Sequence, residues 1–195
     1  MLTESGYLAV ERAAVFKSEF CQGEVFAMAG GTRRHSLITS NLIREFGDKL
    51  EGRPCVPYGS DLRVKVEASG LLTYPDMSVA CGEQRFLDSE EDTLINPVLI
   101  VEVLSDSTEA YDRGRKFDHY QQIPSLREYL LISQSEPRLD LFIRQPGGEW
   151  LLRSFSGLRA TVKIPSLKMV VSLSKVFARI QFERPRIRPR AKPGT

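Results

Sequence analysis

One run of apolar residues, VLIVEVL at positions 98–104, constrains the fold of this chain more than any other feature. A run this dense in Val, Leu and Ile is typical of a strand that is buried on both faces of a sheet. Glu102 lies inside the run, and an ionised carboxylate is costly to bury unless a cation or hydrogen bonds compensate it. The sequence therefore predicts a central strand over 97–104 whose acid has a partner elsewhere in the chain.

Length and composition favour a globular protein. The chain has 195 residues, which suits one domain with a sizeable core. No apolar stretch approaches the ~18 residues that cross a bilayer, and the N-terminal segment lacks the basic region of a signal peptide. Cys21, Cys55 and Cys81 are far apart and odd in number, which predicts reduced thiols in a cytoplasmic protein without a membrane segment.

The C-terminal segment 184–195 differs in charge from the rest of the chain. It contains five basic residues and no acid, and without these five, 22 basic residues remain against 25 acidic ones. We therefore expect one domain over 1–183 and a disordered basic tail, which either aids solubility or contacts DNA phosphates non-specifically. The basic residues of the tail are Arg184, Arg186, Arg188, Arg190 and Lys192.

The remaining pattern alternates helices and strands. A short helix is predicted over 7–20, and a longer one begins at Thr32 or Ser36 and ends at Gly52. Two strand-like runs, 56–68 and 71–81, predict a hairpin. The later elements are a helix from Ser107 or Thr108 to about Gln122, a meander at 127–133, 138–145 and 149–155, and a closing strand and helix. This order predicts a mixed α/β or α+β fold in which helices flank a sheet.

A second acid, Asp76, lies in the run at 71–81. If this strand neighbours the central one, a suitable register brings Asp76 and Glu102 side by side. Such a pair is tolerated when one acid is protonated or when a cation lies between them, and oxygen ligands suit Mg²⁺, Mn²⁺ or Ca²⁺ better than zinc. Pro75 lacks an N–H group, which predicts an edge or bulged strand at this point. Taken alone, Asp76 also fits an ordinary turn or edge-strand acid.

Lys116 is the candidate cation. It borders the buried face of the predicted helix, from which it can reach over the sheet edge. It also follows Asp112 at i, i+4 spacing, which fits a surface ion pair worth ~0.3–0.5 kcal/mol. The spacing alone leaves both interpretations open.

Several stretches resemble a known family. The stretches Tyr74–Asp76, Ile100–Ser105 and Asp112–Phe117 are similar to those of the Uma-type restriction endonucleases, which belong to the PD-(D/E)XK nuclease superfamily. The resemblance covers roughly residues 5–180. It extends to Gly23-Glu24-Val25, His35, Ile123-Pro124-Ser125 and Glu128-Tyr129.

The resemblance implies a restriction-endonuclease-like fold with a divalent metal site. Asp76 and Glu102 would be the ligands of Mg²⁺, for which Mn²⁺ could substitute, and Lys116 would be the catalytic lysine. The usual pattern has this lysine two residues after the second acid, where this chain has Leu104. The resemblance instead places the lysine on the following helix.

Two further residues would support the site. Glu24 matches an acid of the family and would assist a ligand or a metal-bound water, unless it is an exposed charge at a strand start. His35 would be a polar group near the site or would hydrogen-bond at a helix N-terminus.

The expected activity is Mg²⁺-dependent hydrolysis of DNA phosphodiester bonds. The alternative is a catalytically inactive module that binds nucleic acid or protein, which the negative charge of residues 1–183 favours. A homodimer is expected on functional grounds, because enzymes that cut both strands often pair two sites. A glycoside hydrolase is disfavoured by the single Trp, and a serine hydrolase by the lack of a G-x-S-x-G motif.

Overall fold

The computed structural model of the protein describes residues 1–28 and 30–182, so the basic tail predicted at 184–195 lies outside the described residues. A six-stranded mixed sheet forms the centre of the fold. In spatial order its strands are β11 (Trp150–Ser156), β10 (Arg138–Arg144), β9 (Glu128–Ser133), β8 (Leu99–Leu104), β6 (Met77–Cys81) and β3 (Cys55–Gly59).

A smaller sheet, a hairpin and five helices surround this sheet in the described part of the chain. The smaller sheet contains, in spatial order, β2 (Glu24–Ala27), β1 (Ser18–Cys21), β5 (Leu71–Thr73), β4 (Arg63–Val66) and β7 (Thr93–Leu94). The hairpin consists of β12 (Thr161–Ile164) and β13 (Met169–Ser172). The helices are α1 (Glu4–Ala13), α2 (Arg33–Leu50), α3 (Glu109–Arg113), α4 (Arg115–Tyr120) and α5 (Leu173–Val176). The architecture is therefore the predicted mixed α+β arrangement.

The predicted central strand is β8. All six of its residues are buried, and it pairs with β6 in antiparallel and with β9 in parallel orientation. One face of the main sheet packs on α2, α5 and the β12–β13 hairpin. The other face packs on α4 and the smaller sheet. Glu102 lies near the C-terminal end of β8 and is thus held between two layers of apolar side chains.

The helix α2 follows the predicted pattern closely. Ile38, Leu42 and Phe46 recur at i, i+4 spacing and are fully buried against the main sheet. The side chain of Thr32 caps the first turn by accepting a hydrogen bond from the backbone N–H of His35 at 3.1 Å. The chain leaves the helix through Gly52, whose φ of +71° suits a residue without a Cβ atom.

The predicted helix over 7–20 is wrong in its second half. The helix α1 ends at Ala13, and the chain then forms β1. Ser18 explains the change of direction, because its N–H and hydroxyl both donate to the Glu11 carboxylate, at 2.9 and 2.6 Å. This pairing between the helix and the following strand overrides the helix propensity of the Ala-rich segment.

The run at 71–81 is two strands rather than one. Residues 71–73 form β5 in the smaller sheet, where β5 pairs with β4 as the predicted hairpin, whereas residues 77–81 form β6 in the main sheet. Pro75 lies between them. Of the two alternatives expected at Pro75, the edge strand was wrong, because β6 has β3 on one side and β8 on the other.

The expectation of three reduced thiols was also wrong. Cys55 on β3 lies directly opposite Cys81 on β6, with their Cα atoms 4.0 Å apart, and the two form a disulfide. Cys21 is free. The disulfide could not be predicted from the sequence, because the cysteines are 26 residues apart and only the antiparallel register of β3 and β6 brings them together. Among the described residues, no helix combines the length and apolar character needed to cross a membrane.

A buried arginine ties β4 to the segment that precedes β7. Arg63 is 3% exposed, and its guanidinium donates to Thr93 Oγ1, Tyr74 Oη and the carboxylate of Asp92. Asp92 also accepts from Arg12 of α1 at 2.8 Å. The Arg12 hydrogen bond in particular, with Arg63, holds the pKa of Asp92 below its ordinary value against the effect of burial.

We expect Asp92→Asn to lower the free energy of unfolding by about 2 kcal/mol, because it leaves the buried Arg63 without its counterion. Urea unfolding followed by circular dichroism measures the change. Asp61→Asn is the matched control, since Asp61 pairs with Lys17 but its side chain is 96% exposed. Equal midpoints for the two variants would show that the Arg63 pair contributes no more than a surface ion pair.

Candidate active site

The structure places the two candidate acids directly opposite each other. Met77 on β6 pairs with Val101 on β8 in the antiparallel register, so Asp76 faces Glu102 at the next position. The backbone N–H of Asp76 lies 3.4 Å from Glu102 Oε2. The Asp76 carboxylate is held from the other side, because its Oδ2 accepts the Val103 N–H at 2.7 Å. Both acids thus converge where β6 begins and β8 ends.

Lys116 is the cation that compensates Glu102. Its Nζ lies 3.0 Å from Glu102 Oε1, 3.1 Å from Glu19 Oε1 and 3.7 Å from Asp112 Oδ1. The Lys116 side chain is only 6% exposed, so the alternative of a surface pair with Asp112 was wrong. Burial by itself would lower the pKa of Lys116, but Glu102, Glu19 and Asp112 together raise it well above the ordinary value.

A break between α3 and α4 sets the direction of Lys116. The sequence predicted one helix from Ser107 or Thr108 to about Gln122, whereas the structure has two short helices separated by Gly114. Gly114 has φ −111° and ψ −104°, which is not helical. A Cβ atom at this position would lie 3.1 Å from the carbonyl oxygen of Ala110. The break starts a new helix at Arg115 and places Lys116 in its first turn, over the acids.

The site carries more negative than positive charge. Three carboxylates, those of Glu19, Glu102 and Asp112, surround the ammonium of Lys116, and a fourth, Asp76, lies beside Glu102 and pairs with His35; the side chains of all four are at most 15% exposed. Burial raises the pKa of Glu102 to about 8, although Lys116 opposes the shift. Burial likewise raises the pKa of Asp112. The cluster would therefore be stabilised either by protons or by an additional cation.

His35 contacts the candidate site directly. Its Nε2 lies 3.1 Å from Asp76 Oδ2, and the hydrogen bond to Asp76 raises the pKa of the imidazole. Its backbone N–H also donates to Thr32, so His35 fulfils both of the alternatives left open by the sequence. Gly31 leaves room for the ring, because a Cβ atom there would lie 2.9 Å from His35 Nδ1.

Glu19, rather than Glu24, is the acid that the N-terminal hairpin brings to the site. Glu24 lies on β2, whose four residues are all exposed, and none of its contacts among the described residues involves Asp76, Glu102 or Lys116. Glu19 is 7% exposed, accepts from Thr73 Oγ1 and from Tyr111 Oη, and contacts Lys116. Glu19 could not be predicted as a site residue, because it fell within the predicted helix. An acid next to Phe20 matches no motif that would indicate a functional site.

Tyr120 is a second residue that sequence reasoning missed. It is fully buried on α4, and its hydroxyl donates to Glu102 Oε1 at 2.9 Å. Burial, followed by the charge of Glu102, raises the pKa of Tyr120 well above its ordinary value, so the phenol remains a donor. Lys116 and Tyr120 together hold one oxygen of Glu102. The spacing of Lys116 and Tyr120, i and i+4 on one helix face, is the signal that could have paired them.

The acid and tyrosine that follow Ile123-Pro124-Ser125 have structural partners. The Glu128 carboxylate accepts from the backbone N–H of Ser166 at 2.9 Å and from its hydroxyl, which anchors the turn before β13 to β9. The hydroxyl of Tyr129 donates to the carbonyl oxygen of Asp112 at 3.0 Å. Tyr129 thereby fixes the C-terminal end of α3 over the sheet, close to the helix break that positions Lys116.

The donor atoms suit a hard divalent cation. Asp76 Oδ1 accepts no hydrogen bond in the described part of the chain, and Glu102 Oε2 has only the long 3.4 Å contact. Each acid therefore keeps one oxygen that is available to a ligand, and carboxylate oxygens are the ligands that Mg²⁺ and Mn²⁺ prefer. Across residues 1–28 and 30–182, no three His, Cys, Asp or Glu side chains are arranged to hold a metal by themselves.

A family model with the description "Uma2: Putative restriction endonuclease" matches residues 5–174. The chain belongs to the Uma2 family. All of the residues that converge on the candidate site lie within the matched range, and so do Gly114 and Glu128. The family assignment that the sequence motifs indicated is thus confirmed.

Two curated proteins from Synechocystis sp. are similar over most of the Uma2 chain. The uncharacterized protein sll1609 is 36% identical over 169 residues, which cover 87% of this chain and 96% of that protein. The uncharacterized protein slr1290 is 38% identical over 155 residues, which cover 79% of this chain and 80% of that protein.

A solved structure shares the fold. It is described as a "putative nuclease belonging to DUF820" from Anabaena variabilis, and it superposes with a TM-score of 0.71 at 19% identity. The match covers 91% of this chain and 98% of the other. The restriction-endonuclease-like fold expected for an Uma2 member is therefore the fold of this chain.

Proposed function

We propose that this protein is a metal-dependent endonuclease that hydrolyses DNA phosphodiester bonds. The observation that carries the proposal is that Asp76, just before β6, faces Glu102 on the neighbouring strand β8, and that Lys116 Nζ lies 3.0 Å from Glu102 Oε1. Membership of a family described as restriction endonucleases supports DNA as the substrate. The excess of buried carboxylates supports a need for a cation at this point of the fold.

Asp76 and Glu102 would hold Mg²⁺, or Mn²⁺ in its place. A bound divalent ion supplies charge neutralisation at the phosphate and lowers the pKa of a coordinated water. Hydrogen bonds and an ion pair within the chain would orient both carboxylates for metal binding. The Val103 N–H and His35 fix one oxygen of Asp76, while Lys116 and Tyr120 fix one oxygen of Glu102. Each acid therefore presents its other oxygen without having to reorganise.

Lys116 would position the attacking water or stabilise the negative charge that develops on the phosphate. The three carboxylates around its Nζ keep the lysine protonated, so electrostatic stabilisation and positioning are favoured over proton abstraction. The break at Gly114 supports this role, because it would let a lysine on the helix act where the usual pattern has one on the strand. Cutting both strands of a duplex would require two such sites, which a homodimer would supply.

Metal removal tests the proposal. We expect nicking of supercoiled plasmid in the presence of Mg²⁺ or Mn²⁺, complete loss of nicking in EDTA, and recovery when excess Mg²⁺ is restored. Glu102→Gln protein, purified identically, controls for a contaminating nuclease. Nicking that persists in EDTA, or that Glu102→Gln retains in full, would rule out this site.

The second candidate is a binding module without catalysis on the same fold. It is favoured by the lack, across residues 1–28 and 30–182, of any three His, Cys, Asp or Glu side chains arranged to hold a metal by themselves. Calorimetry distinguishes the two candidates. An active nuclease site binds Mn²⁺ with an affinity that Asp76→Asn abolishes, whereas a module of this kind binds neither Mn²⁺ nor Mg²⁺.

We expect Glu19→Gln to lower the single-turnover rate of cleavage about 10- to 100-fold, because residues that orient a catalytic group typically contribute this much. The reason is that Glu19 anchors Lys116 from the smaller sheet at 3.1 Å. The matched control is Glu24→Gln, which changes an exposed acid of the same hairpin and should cleave like the wild type. Equal single-turnover rates for Glu19→Gln and Glu24→Gln would show that the N-terminal hairpin does not contribute to the site.

A further inference from the structure

Two arginines lie together at the end of the main sheet that is opposite the acids. Arg127 immediately precedes β9 and is exposed, and Arg144 is the last residue of β10. The backbone N–H of Arg144 donates to the carbonyl oxygen of Arg127 at 2.9 Å. Neither guanidinium takes part in any of the ion pairs found within residues 1–28 and 30–182. Two neighbouring cations without a carboxylate partner are therefore available to an external anion.

Arg144 is held in place by groups that leave its charge uncompensated. Its guanidinium lies over the ring of Trp150, 4.9 Å from the centroid, and one terminal nitrogen donates to the carbonyl oxygen of Gln121. Its Nε is buried and has no hydrogen-bond partner. Burial, and then the charge of Arg127, lower the pKa of Arg144. An anion placed between the two guanidiniums would relieve their mutual repulsion.

The arginine pair is connected to the candidate active site by α4. Lys116, in the first turn of α4, contacts Glu102, while Gln121, just after the helix, accepts from Arg144. In the parallel register of β8 and β9, Leu131 lies beside Glu102, so Arg127 is four positions back along β9. At about 3.3 Å per residue this is ~13 Å along the strand, so one bound DNA strand can contact both places.

We propose that Arg127, Arg144 and Trp150 form a second contact for the nucleic acid, in which the guanidiniums bind a backbone phosphate and the indole packs against the adjoining nucleotide. Guanidinium groups bind phosphate oxygens in a bidentate manner, and a stacked arginine and tryptophan suit a nucleotide better than an isolated carboxylate. The identity of the ligand rests on the proposed nuclease function, but the anion site does not.

The test measures binding of a fluorescein-labelled DNA duplex in EDTA by anisotropy over a series of salt concentrations. Arg127→Ser and Arg144→Gln should each reduce the slope of log affinity against log salt by about one, as loss of a phosphate contact requires. Trp150 is the only tryptophan in the chain, so its fluorescence should change on titration with unlabelled duplex. Arg159→Ser, at another exposed arginine, is the control and should behave like the wild type.

Arg127 is the deciding position, because its side chain is exposed and its removal leaves the α4 contact of Arg144 intact. A wild-type salt slope in Arg127→Ser, or unchanged Trp150 fluorescence on saturation with DNA, overturns the proposal. If that result comes with metal-dependent nicking by the wild type, the proposed nuclease function survives without this contact. If the wild type never nicks DNA but Arg127→Ser lowers the salt slope, the contact is supported and the nuclease function is refuted.

Discussion

Asp76→Asn should lower the single-turnover rate of DNA cleavage by about 10³-fold or more, because it removes one of the two proposed metal ligands. A catalytic metal contributes several kcal/mol of charge stabilisation, and each ~1.4 kcal/mol corresponds to a factor of ten in rate. The substitution removes a charged ligand while keeping an oxygen that can accept the Val103 N–H, so the fold should be retained.

Two measurements show whether the loss in Asp76→Asn is specific. The urea midpoint should stay close to that of the wild type, and Mn²⁺ binding by calorimetry should disappear. Asp61→Asn, at a side chain that is 96% exposed, should match the wild type in rate, midpoint and Mn²⁺ binding. An Asp76→Asn variant that cleaves within threefold of the wild type would remove Asp76 from the proposed site.

Lys116→Met should have the largest effect after loss of a proposed metal ligand, a fall of about 10²- to 10³-fold in the single-turnover rate, as expected for loss of a positioned electrostatic catalyst. It should also lower the free energy of unfolding by about 3 kcal/mol, because three acids lose their shared buried cation. Lys116→Arg should not restore the rate, since a planar guanidinium cannot replace a compact ammonium between three carboxylates.

The rate and the stability of Lys116→Met must be separated. Cleavage is therefore measured at a temperature well below the unfolding transition of the variant. Lys49→Met serves as the control, because Lys49 pairs with Glu45 at i, i+4 but is 38% exposed. If the folded Lys116→Met variant cleaves as fast as Lys49→Met, the buried lysine has only a structural role and its catalytic role is refuted.

Elements with a strong repeating pattern could be predicted from the sequence. The i, i+4 spacing of Ile38, Leu42 and Phe46 predicted α2, and the dense run around Glu102 predicted the buried strand β8. Period-two alternation also allowed Asp76 to be placed beside Glu102, because β6 and β8 are neighbours in the observed register. In each case one stripe or face of side chains had to be buried, and this requirement is visible in sequence.

The features that could not be predicted depend on side-chain and strand pairings that no periodic pattern in the sequence indicates. The turn after α1 depends on Glu11 accepting from Ser18, and the division of the 71–81 run depends on which of two sheets each half joins. The smaller sheet brings Glu19 to Lys116, and no local sequence pattern predicts this contact. Gly114 was visible in the sequence, but a single glycine inside a helical pattern predicts a break only when the tertiary position of Lys116 is known.

The central claim is that Asp76 and Glu102 together hold a divalent cation. The most direct measurement is anomalous difference density from a crystal of the protein soaked in Mn²⁺ and recorded at the manganese edge. A single strong peak between the Asp76 and Glu102 carboxylates, absent from an identically soaked Asp76→Asn crystal, is the predicted result. Anomalous density only at surface carboxylates, with none between these two acids at saturating Mn²⁺, would contradict it.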